Sequence, residues 1–270
     1  MNIEYIFADP QGNGTVLVLS DVDPQKRALV ARSLMAKIGK KAEQVGFLSE
    51  IKPSSAVLYM MGGEFCGNAC ASAAALIAET YSLDKINAKI KVAGQYAACS
   101  AYNISPDTYR GKVSMPLPNE CFRQEFLLKN EKLNCFAAIF PGISHFVFES
   151  DDISRASAVE ISEAVAKDTS FSSPAFGIIA FNRNNMSITP LVCVPETKTC
   201  VFEKSCASGT AAVGLYLAQS EKRSIDAEIN QPGGSIRVFA EYDDSLSLVR
   251  DICISTTVIL GGRETATISI

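Results

Sequence analysis

Two cysteines in the sequence each stand directly before a run of small residues. Cys66 opens the stretch 66–78, and Cys206, 140 positions later, opens the stretch 206–218. Alanine-rich runs of this kind favour helices, so we expect each cysteine at a helix N-terminus. The N–H groups and the macrodipole at such an end stabilise a thiolate, which can lower a cysteine pKa from about 8.5 to roughly 3.5–7.5. The sequence therefore predicts two cysteines suited to proton transfer.

Two such cysteines can invert the configuration of an amino acid at Cα. A thiolate removes the α-proton from one face while a thiol donates a proton to the other, and the pair titrates as a unit. The substrate carboxylate would accept hydrogen bonds from four backbone N–H groups at the two helix starts, which also stabilise the enolate-like charge. Those groups belong to Gly67, Asn68, Ala207 and Ser208. No lysine context marks a pyridoxal phosphate site, so we expect no cofactor.

Either cysteine alone is more often a buried core residue than a catalytic one. The recurrence of a cysteine at the matching helix start favours the catalytic interpretation. A different class of function stays open, in which the two cysteines form a regulated disulfide in a non-catalytic or redox-regulated protein.

The chain also contains an internal duplication. The segment 12–21 aligns with 142–151 by its glycine, serine and aspartate, and further on Gly94 aligns with Gly234. We therefore predict an α+β fold with an N-terminal half over residues 1–117, joined by a C-terminal strand over 256–270, and a second half over 118–255. Each half is expected to wrap a mixed sheet around its central cysteine helix. The halves would be pseudo-symmetric, with the active site in the cleft between them, where ligand sites are common.

Composition excludes several classes of partner. The 270 residues have a formal net charge of −4 and 47% hydrophobic residues, with no cluster of lysine and arginine, so we expect no nucleic-acid partner. No apolar run reaches the roughly 18–20 residues of a membrane span, and the N-terminus does not read as a signal peptide.

The nine cysteines suggest a reducing compartment, which we take to be the cytoplasm. An odd number also argues against a fully paired disulfide scaffold. Only Cys66 and Cys70 have the short spacing typical of metal ligands, so we predict no metal site.

At the two cysteine motifs the chain resembles the diaminopimelate epimerase superfamily of cofactor-independent racemases. The matching motifs are Cys66-Gly67-Asn68 and Cys206-Ala207-Ser208-Gly209-Thr210. Within that superfamily, it is more similar to the histidine racemases of staphylopine-type metallophore pathways. That similarity covers most of the chain, including the stretches 43–47, 64–68, 203–210 and 231–236. The resemblance implies a diaminopimelate-epimerase-like fold and a racemase whose partner is a small-molecule amino-acid substrate. A homodimer is the oligomer that we expect.

The resemblance also implies substrate-binding residues. Asn13 matches the family's N-terminal Gly-Asn, and its alternative role is that of a turn residue. Glu43 and Gln44 would suit an imidazole N–H or simply end a solvated loop. Glu64 and Glu203 could hold the ammonium or imidazole of the substrate, or be surface acids.

Three departures from diaminopimelate epimerases disfavour diaminopimelate as the substrate. Where the epimerases have Asn-Pro-His, this chain has Ile143-Ser144-His145. Their asparagine shortly before the first cysteine motif is replaced here by Met60 or Met61. Their Glu-Arg-Gly lies well ahead of the second cysteine, whereas Glu203-Lys204-Ser205 directly precedes Cys206 here. The distal amino and carboxylate groups of diaminopimelate would lose polar partners, at a cost of about 1–3 kcal/mol for each buried group left unpaired. Diaminopimelate, or another amino acid, remains the alternative substrate. We expect an indirect or structural role for His145.

Overall fold

The computed structural model of the protein describes residues 1–128, 131–151, 153–167 and 173–268. Within them the chain is a sheet-dominated α+β fold with a barrel-like sheet and few helices, which confirms the predicted class at this level. It divides into a first unit, Met1–Ser114 with Ser255–Ile270, and a second unit, Met115–Ile254. The last two residues of the strand predicted over 256–270 lie outside the described residues.

The strands of the first unit close into a ring. Their order is β1 to β7 in sequence and then β16, which pairs back with β1. Parallel pairs join β2 to β3 and β4 to β5, and the connections between them are the helices α1 and α2. The elements are β1 Asn2–Pro10, β2 Thr15–Val18, α1 Arg27–Ile38, β3 Gln44–Lys52, β4 Ser55–Met60, α2 Gly67–Thr80, β5 Lys85–Val92, β6 Gln95–Ser105, β7 Thr108–Ser114 and the part of β16 Leu248–Thr267 that follows Ile254.

Helix α2 owes its packing to its small side chains. Every residue over 67–78 is buried, and the helix contacts all seven strands from β1 to β7. Strand β7 approaches so closely that a Cβ added at Gly111 would lie 2.9 Å from the Cβ of Ala71. Alanine has a high helix propensity and loses no side-chain entropy on burial, so this sequence supports both the helix and the close approach.

The second unit is also a mixed sheet. Its strands run in the order β15-β14-β12-β11-β10-β9-β8, and the short strand β13 also pairs with β12, in the antiparallel direction. Strands β10 and β11 are parallel and are connected by helix α3. The elements are β8 Glu120–Leu128, β9 Glu131–Phe140, β10 Ile143–Glu149, α3 Arg155–Lys167, β11 Ala175–Asn182, β12 Ser187–Val194, β13 Thr199–Phe202, α4 Ala207–Glu221, β14 Ile225–Gln231 and β15 Gly234–Asp243.

The cysteines other than Cys66 and Cys206 serve packing or cross-linking. Cys193 and Cys200 face each other in the β12–β13 pair and form a disulfide. Cys70 and Cys99 are buried and hydrogen-bonded, which together with burial raises the pKa of the Cys70 thiol well above its usual range. The Cys70 thiol therefore stays protonated.

Candidate active site

Cys66 is the N-cap of α2, as its sequence context predicts. Its backbone is extended, with φ −128° and ψ 111°, and the helix begins at Gly67. The Sγ atom accepts a hydrogen bond from the N–H of Ala69 at 3.4 Å. At many helix starts a serine or aspartate oxygen accepts such an N–H, and here a thiol sulfur accepts it. The helix therefore fixes the position of this sulfur.

A chain of side-chain hydrogen bonds connects Cys66 to the β1–β2 loop. The Cys66 thiol donates to Oε1 of Gln44 at 3.1 Å. Nε2 of Gln44 donates to Oδ1 of Asn13 at 2.5 Å and to Oγ1 of Thr15 at 2.8 Å, and Nδ2 of Asn13 donates to Oε2 of Glu43 at 3.2 Å. The structure thus brings three predicted residues together with Cys66 and adds Thr15, which sequence reasoning missed.

The parallel pairing of β2 with β3 explains this arrangement. Thr15 and Gln44 are opposite each other in the register. Just before them, the carbonyl of Gly14 accepts the N–H groups of Glu43 at 2.7 Å and Gln44 at 3.2 Å. The two strand starts are held side by side, so Asn13 and Gln44 meet although 31 residues separate them.

Cys206 has the same local geometry at the start of α4. Its backbone angles are φ −120° and ψ 105°, and the helix begins at Ala207. Its Sγ accepts the N–H of Gly209 at 3.4 Å and lies 3.7 Å from Oγ of Ser208. Both cysteines are therefore N-caps whose sulfurs receive a backbone N–H three residues later.

The surroundings of Cys206 nevertheless raise its pKa well above the usual thiol range. Burial is the main cause, and the negative charge of Glu203 and its hydrogen bond with the thiol add to it. The Gly209 N–H and the Ser208 hydroxyl act in the opposite direction and are outweighed. The helix start alone predicted a lowered pKa, but desolvation and a nearby carboxylate disfavour the thiolate more strongly. Cys206 is a thiol at neutral pH in the protein without substrate.

His145 lies behind Ser208 in the second unit. It is fully buried on β10, and its Nε2 is 2.8 Å from Oγ of Ser208. Its Nδ1 has no hydrogen-bond partner among the described residues. The parallel neighbour on β11 is Gly177, where an added Cβ would lie only 2.3 Å from Nδ1. His145 thus supports a residue beside Cys206, and the glycine opposite it in the register is what leaves room for its ring.

Burial lowers the pKa of His145 to about 3, so the imidazole is neutral in the folded protein. Unfolding restores a pKa of about 6.5, and the unfolded chain then binds more protons than the native one as the pH falls below 6.5. We expect this residue to contribute stability that is complete above pH 6.5 and falls by about 2 kcal/mol by pH 5. Urea unfolding of the wild type and of His145→Gln at pH 7.5, 6.5, 5.5 and 5.0 measures the difference.

In His145→Gln the free energy of unfolding is expected to fall less between pH 6.5 and pH 5 than in the wild type, because glutamine does not titrate. Its stability at pH 7.5 provides the reference for the loss of packing, which is independent of pH. Parallel curves for the two proteins between pH 6.5 and pH 5 would contradict a neutral, buried imidazole.

The other predicted site residues lie close to the two helix starts in the sequence. Gly67 and Asn68 are buried in the first turn of α2, and Ala207 and Ser208 form the first turn of α4. Glu64 is exposed, and its carboxylate accepts backbone N–H groups of its own loop, from Gly62 and Glu64. These hydrogen bonds orient the Glu64 carboxylate within its loop, and its role in binding substrate stays a prediction.

Two other features are absent from the described part of the chain. No group of three or more histidine, cysteine, aspartate or glutamate side chains there is arranged to hold a metal ion. No helix among the same residues combines the length and apolar character that crossing a bilayer requires.

Comparison with known proteins identifies the family. A family model described as the histidine racemase CntK N-terminal domain matches residues 2–265. The chain belongs to the histidine racemase family. A histidine racemase of Fusobacterium nucleatum is 33% identical over 250 residues, which cover 90% of this chain and 91% of that protein. A histidine racemase of Staphylococcus aureus is 28% identical over 269 residues, or 97% of both chains. The resemblance noted from the sequence is confirmed.

Solved structures with low sequence identity share the fold of this racemase-family chain. A probable proline racemase from Agrobacterium radiobacter has a TM-score of 0.70 at 12% identity and covers 99% of this chain and 93% of its own. A hydroxyproline epimerase from Agrobacterium vitis has a TM-score of 0.68 at 10% identity, covering 98% and 92%. At these identities the likeness concerns the fold alone.

Proposed function

We propose that the protein interconverts L- and D-histidine without a cofactor, with Cys66 and Cys206 as the two acid–base groups at Cα. One observation carries the proposal: in a member of the histidine racemase family, two cysteines are helix N-caps with the same backbone and sulfur geometry. The reaction requires both sulfurs to reach one α-carbon, from opposite faces.

We infer that the two units are pseudo-symmetric halves, each built around its cysteine helix. Both contain a parallel strand pair, β2–β3 and β10–β11, joined by a helix. Each then has a cysteine N-cap whose sulfur accepts an N–H from the third helical residue. Such a relation would give each face of the substrate its own thiol in equivalent surroundings.

The helix starts would bind the substrate carboxylate. The backbone N–H groups of Gly67, Asn68, Ala207 and Ser208 lie in first turns, where helix geometry provides no intrahelical acceptors. A carboxylate there gains hydrogen bonds, and the charge that develops on it after α-proton removal is stabilised by the same donors and dipoles. This lowers the barrier to forming the enolate-like intermediate.

Cys206 is held protonated before substrate binds, and a substrate with a cationic ammonium would change this. Cys66 donates to Gln44, and the charge of Glu203 disfavours a thiolate at Cys206. An ammonium or imidazole bound to Glu203 would offset that negative charge and lower the pKa of Cys206. We propose that Glu203 binds the substrate in this way, and that Asn13, Glu43 and Gln44 contact its imidazole or ammonium.

Glu203→Gln tests the electrostatic part of this proposal. Removing the negative charge takes away one cause of the raised pKa, so the pKa of Cys206 is expected to fall and its alkylation by iodoacetamide at pH 7.5 to become about tenfold faster. Peptide mass spectrometry after timed quenching measures the modification at Cys206 itself. Glu196→Gln, an exposed acid in the same unit, is the matched control. An unchanged or slower rate in Glu203→Gln would contradict the role of the charge.

The function itself is tested in heavy water with fully reduced protein. L-histidine is expected to take up deuterium at Cα while D-histidine appears, whereas meso- and LL-diaminopimelate are expected to remain unchanged. Conversion of diaminopimelate in preference to histidine would reassign the substrate. The absence of exchange with every amino acid tested would leave the non-catalytic cysteine-pair interpretation.

We further infer that the enzyme is a cytoplasmic homodimer and that its D-histidine is used for metallophore synthesis. The resemblance to racemases of such pathways supports these inferences. Light scattering after size-exclusion chromatography tests the dimer, and loss of a D-histidine-containing chelator from cells lacking the gene tests the use of the product.

A further inference from the structure

The backbone N–H of Cys206 is bound by a side chain from outside its helix. An N-cap N–H points away from the helix and needs its own acceptor, which in a capping box is a glutamate or glutamine at the third helical position. In α4 that position is Gly209, which has no side chain. Instead, Oε1 of Gln231, the last residue of β14, accepts the Cys206 N–H at 2.6 Å.

Gly209 cannot provide the usual capping side chain, because neighbouring atoms already occupy the space that a side chain would need. A Cβ at Gly209 would lie 2.7 Å from Cδ1 of Ile179 and 3.2 Å from Sγ of Cys206. The backbone N–H of Gly209 donates a hydrogen bond to that sulfur. The crowding around Gly209, to which Ile179 contributes the nearest atom, excludes a cap from within the helix, and Gln231 provides the acceptor.

Gln231 also binds the other backbone polar group of Cys206, through Thr210. Its Nε2 donates to Oγ1 of Thr210 at 2.9 Å, and that hydroxyl donates to the carbonyl of Cys206 at 2.7 Å. The hairpin that follows Gln231 is tied to the same region, because the Gly233 N–H donates to the carbonyl of Lys204 at 2.8 Å. One carboxamide, acting as acceptor and donor at once, thus orients both peptide groups of Cys206.

We propose that Gln231 is a positioning residue for Cys206, and that the reaction requires its neutral carboxamide rather than a carboxylate of the same shape. The proposal rests on the proposed function, in which Cys206 transfers a proton at Cα. An uncharged group can bind the N–H without adding to the negative charge that Glu203 already places beside this buried thiol. A glutamate at position 231 would add a second negative charge and could not donate to Thr210.

The closing experiment compares Gln231→Glu with Asn230→Asp in the purified full-length protein. Asn230 is the neighbouring residue on β14, exposed and on the opposite face of the strand, so its variant adds the same charge away from Cys206. This variant also loses the bond from Nδ2 of Asn230 to the carbonyl of Asn185 in the β11–β12 turn, so the stabilities of both variants are compared by urea unfolding. Two quantities are measured: the pH midpoint of Cys206 alkylation by iodoacetamide, from peptide mass spectrometry, and kcat and KM for histidine.

For Gln231→Glu we expect the alkylation midpoint to rise by about one pH unit and kcat to fall about tenfold, with KM changed less than about twofold. Asn230→Asp is expected to match the wild type in all three. If Gln231→Glu does not fold, Thr210→Val removes only the hydroxyl link and is expected to lower kcat severalfold at unchanged KM.

A wild-type midpoint and kcat in Gln231→Glu, or in Thr210→Val where that variant is used, would overturn the proposal. The alkylation readout does not depend on turnover. A shifted midpoint in a protein that does not racemise histidine would therefore support the positioning of this sulfur by Gln231 and overturn only the proposed function.

Discussion

Replacing Cys66 or Cys206 with serine is expected to lower kcat for histidine racemisation by at least about a thousandfold, at the upper part of the range for loss of a general acid–base group. A serine hydroxyl is a far weaker acid than a thiol and cannot serve as the base at neutral pH. Inversion needs a base on one face and an acid on the other, so the loss of either group stops it. Chiral chromatography of the histidine enantiomers over time measures the rate.

Exchange of the α-proton separates the roles of the two thiols. A protein with one remaining thiol is expected to exchange the α-proton of one enantiomer with solvent deuterium without forming the other. Cys121→Ser, at a partly buried free cysteine on β8, is the matched control and is expected to keep full activity. A Cys66→Ser/Cys206→Ser double variant that still racemises histidine would eliminate the two-thiol mechanism.

The largest expected effect on stability comes from Gly14→Ala. An added Cβ would lie 1.7 Å from the carbonyl oxygen of Lys41 and 2.9 Å from Cζ of Phe7, so the β1–β2 loop would have to move. The carbonyl of Gly14 binds the N–H groups that start β3, which makes that movement disruptive. We expect a loss of more than about 3 kcal/mol in the free energy of unfolding, typical of severe overpacking. Urea titration followed by circular dichroism measures it.

Gly262→Ala is the control for this substitution. An added Cβ at Gly262 meets no atom within 4 Å, so its variant is expected to lie within about 0.5 kcal/mol of the wild type. Folded Gly14→Ala protein should also racemise poorly, because Asn13 and Gln44 lose their common anchor. Wild-type stability in Gly14→Ala would show that this loop does not fix the Gln44 side chain.

The local patterns of the sequence correctly predicted where the two cysteine helices begin. Both helices start directly after the cysteine, because the N-cap geometry and alanine-rich composition that produce them are short-range properties of the chain. Asn13, Glu43 and Gln44 were selected by family resemblance. The parallel pairing of β2 with β3 explains why these three residues lie close together, because it places the starts of two strands that are distant in sequence side by side.

The cysteine helices and their capping sulfurs were thus determined by the sequence alone. Tertiary structure decided the protonation of Cys206, because burial and the approach of Glu203 outweigh the local field of the helix N-terminus. It also decided that Gln231, 25 positions away, caps that cysteine. The physical reason is that a helix start is defined by neighbours in sequence, whereas desolvation and hydrogen-bond partners depend on which distant segments the sheet brings alongside.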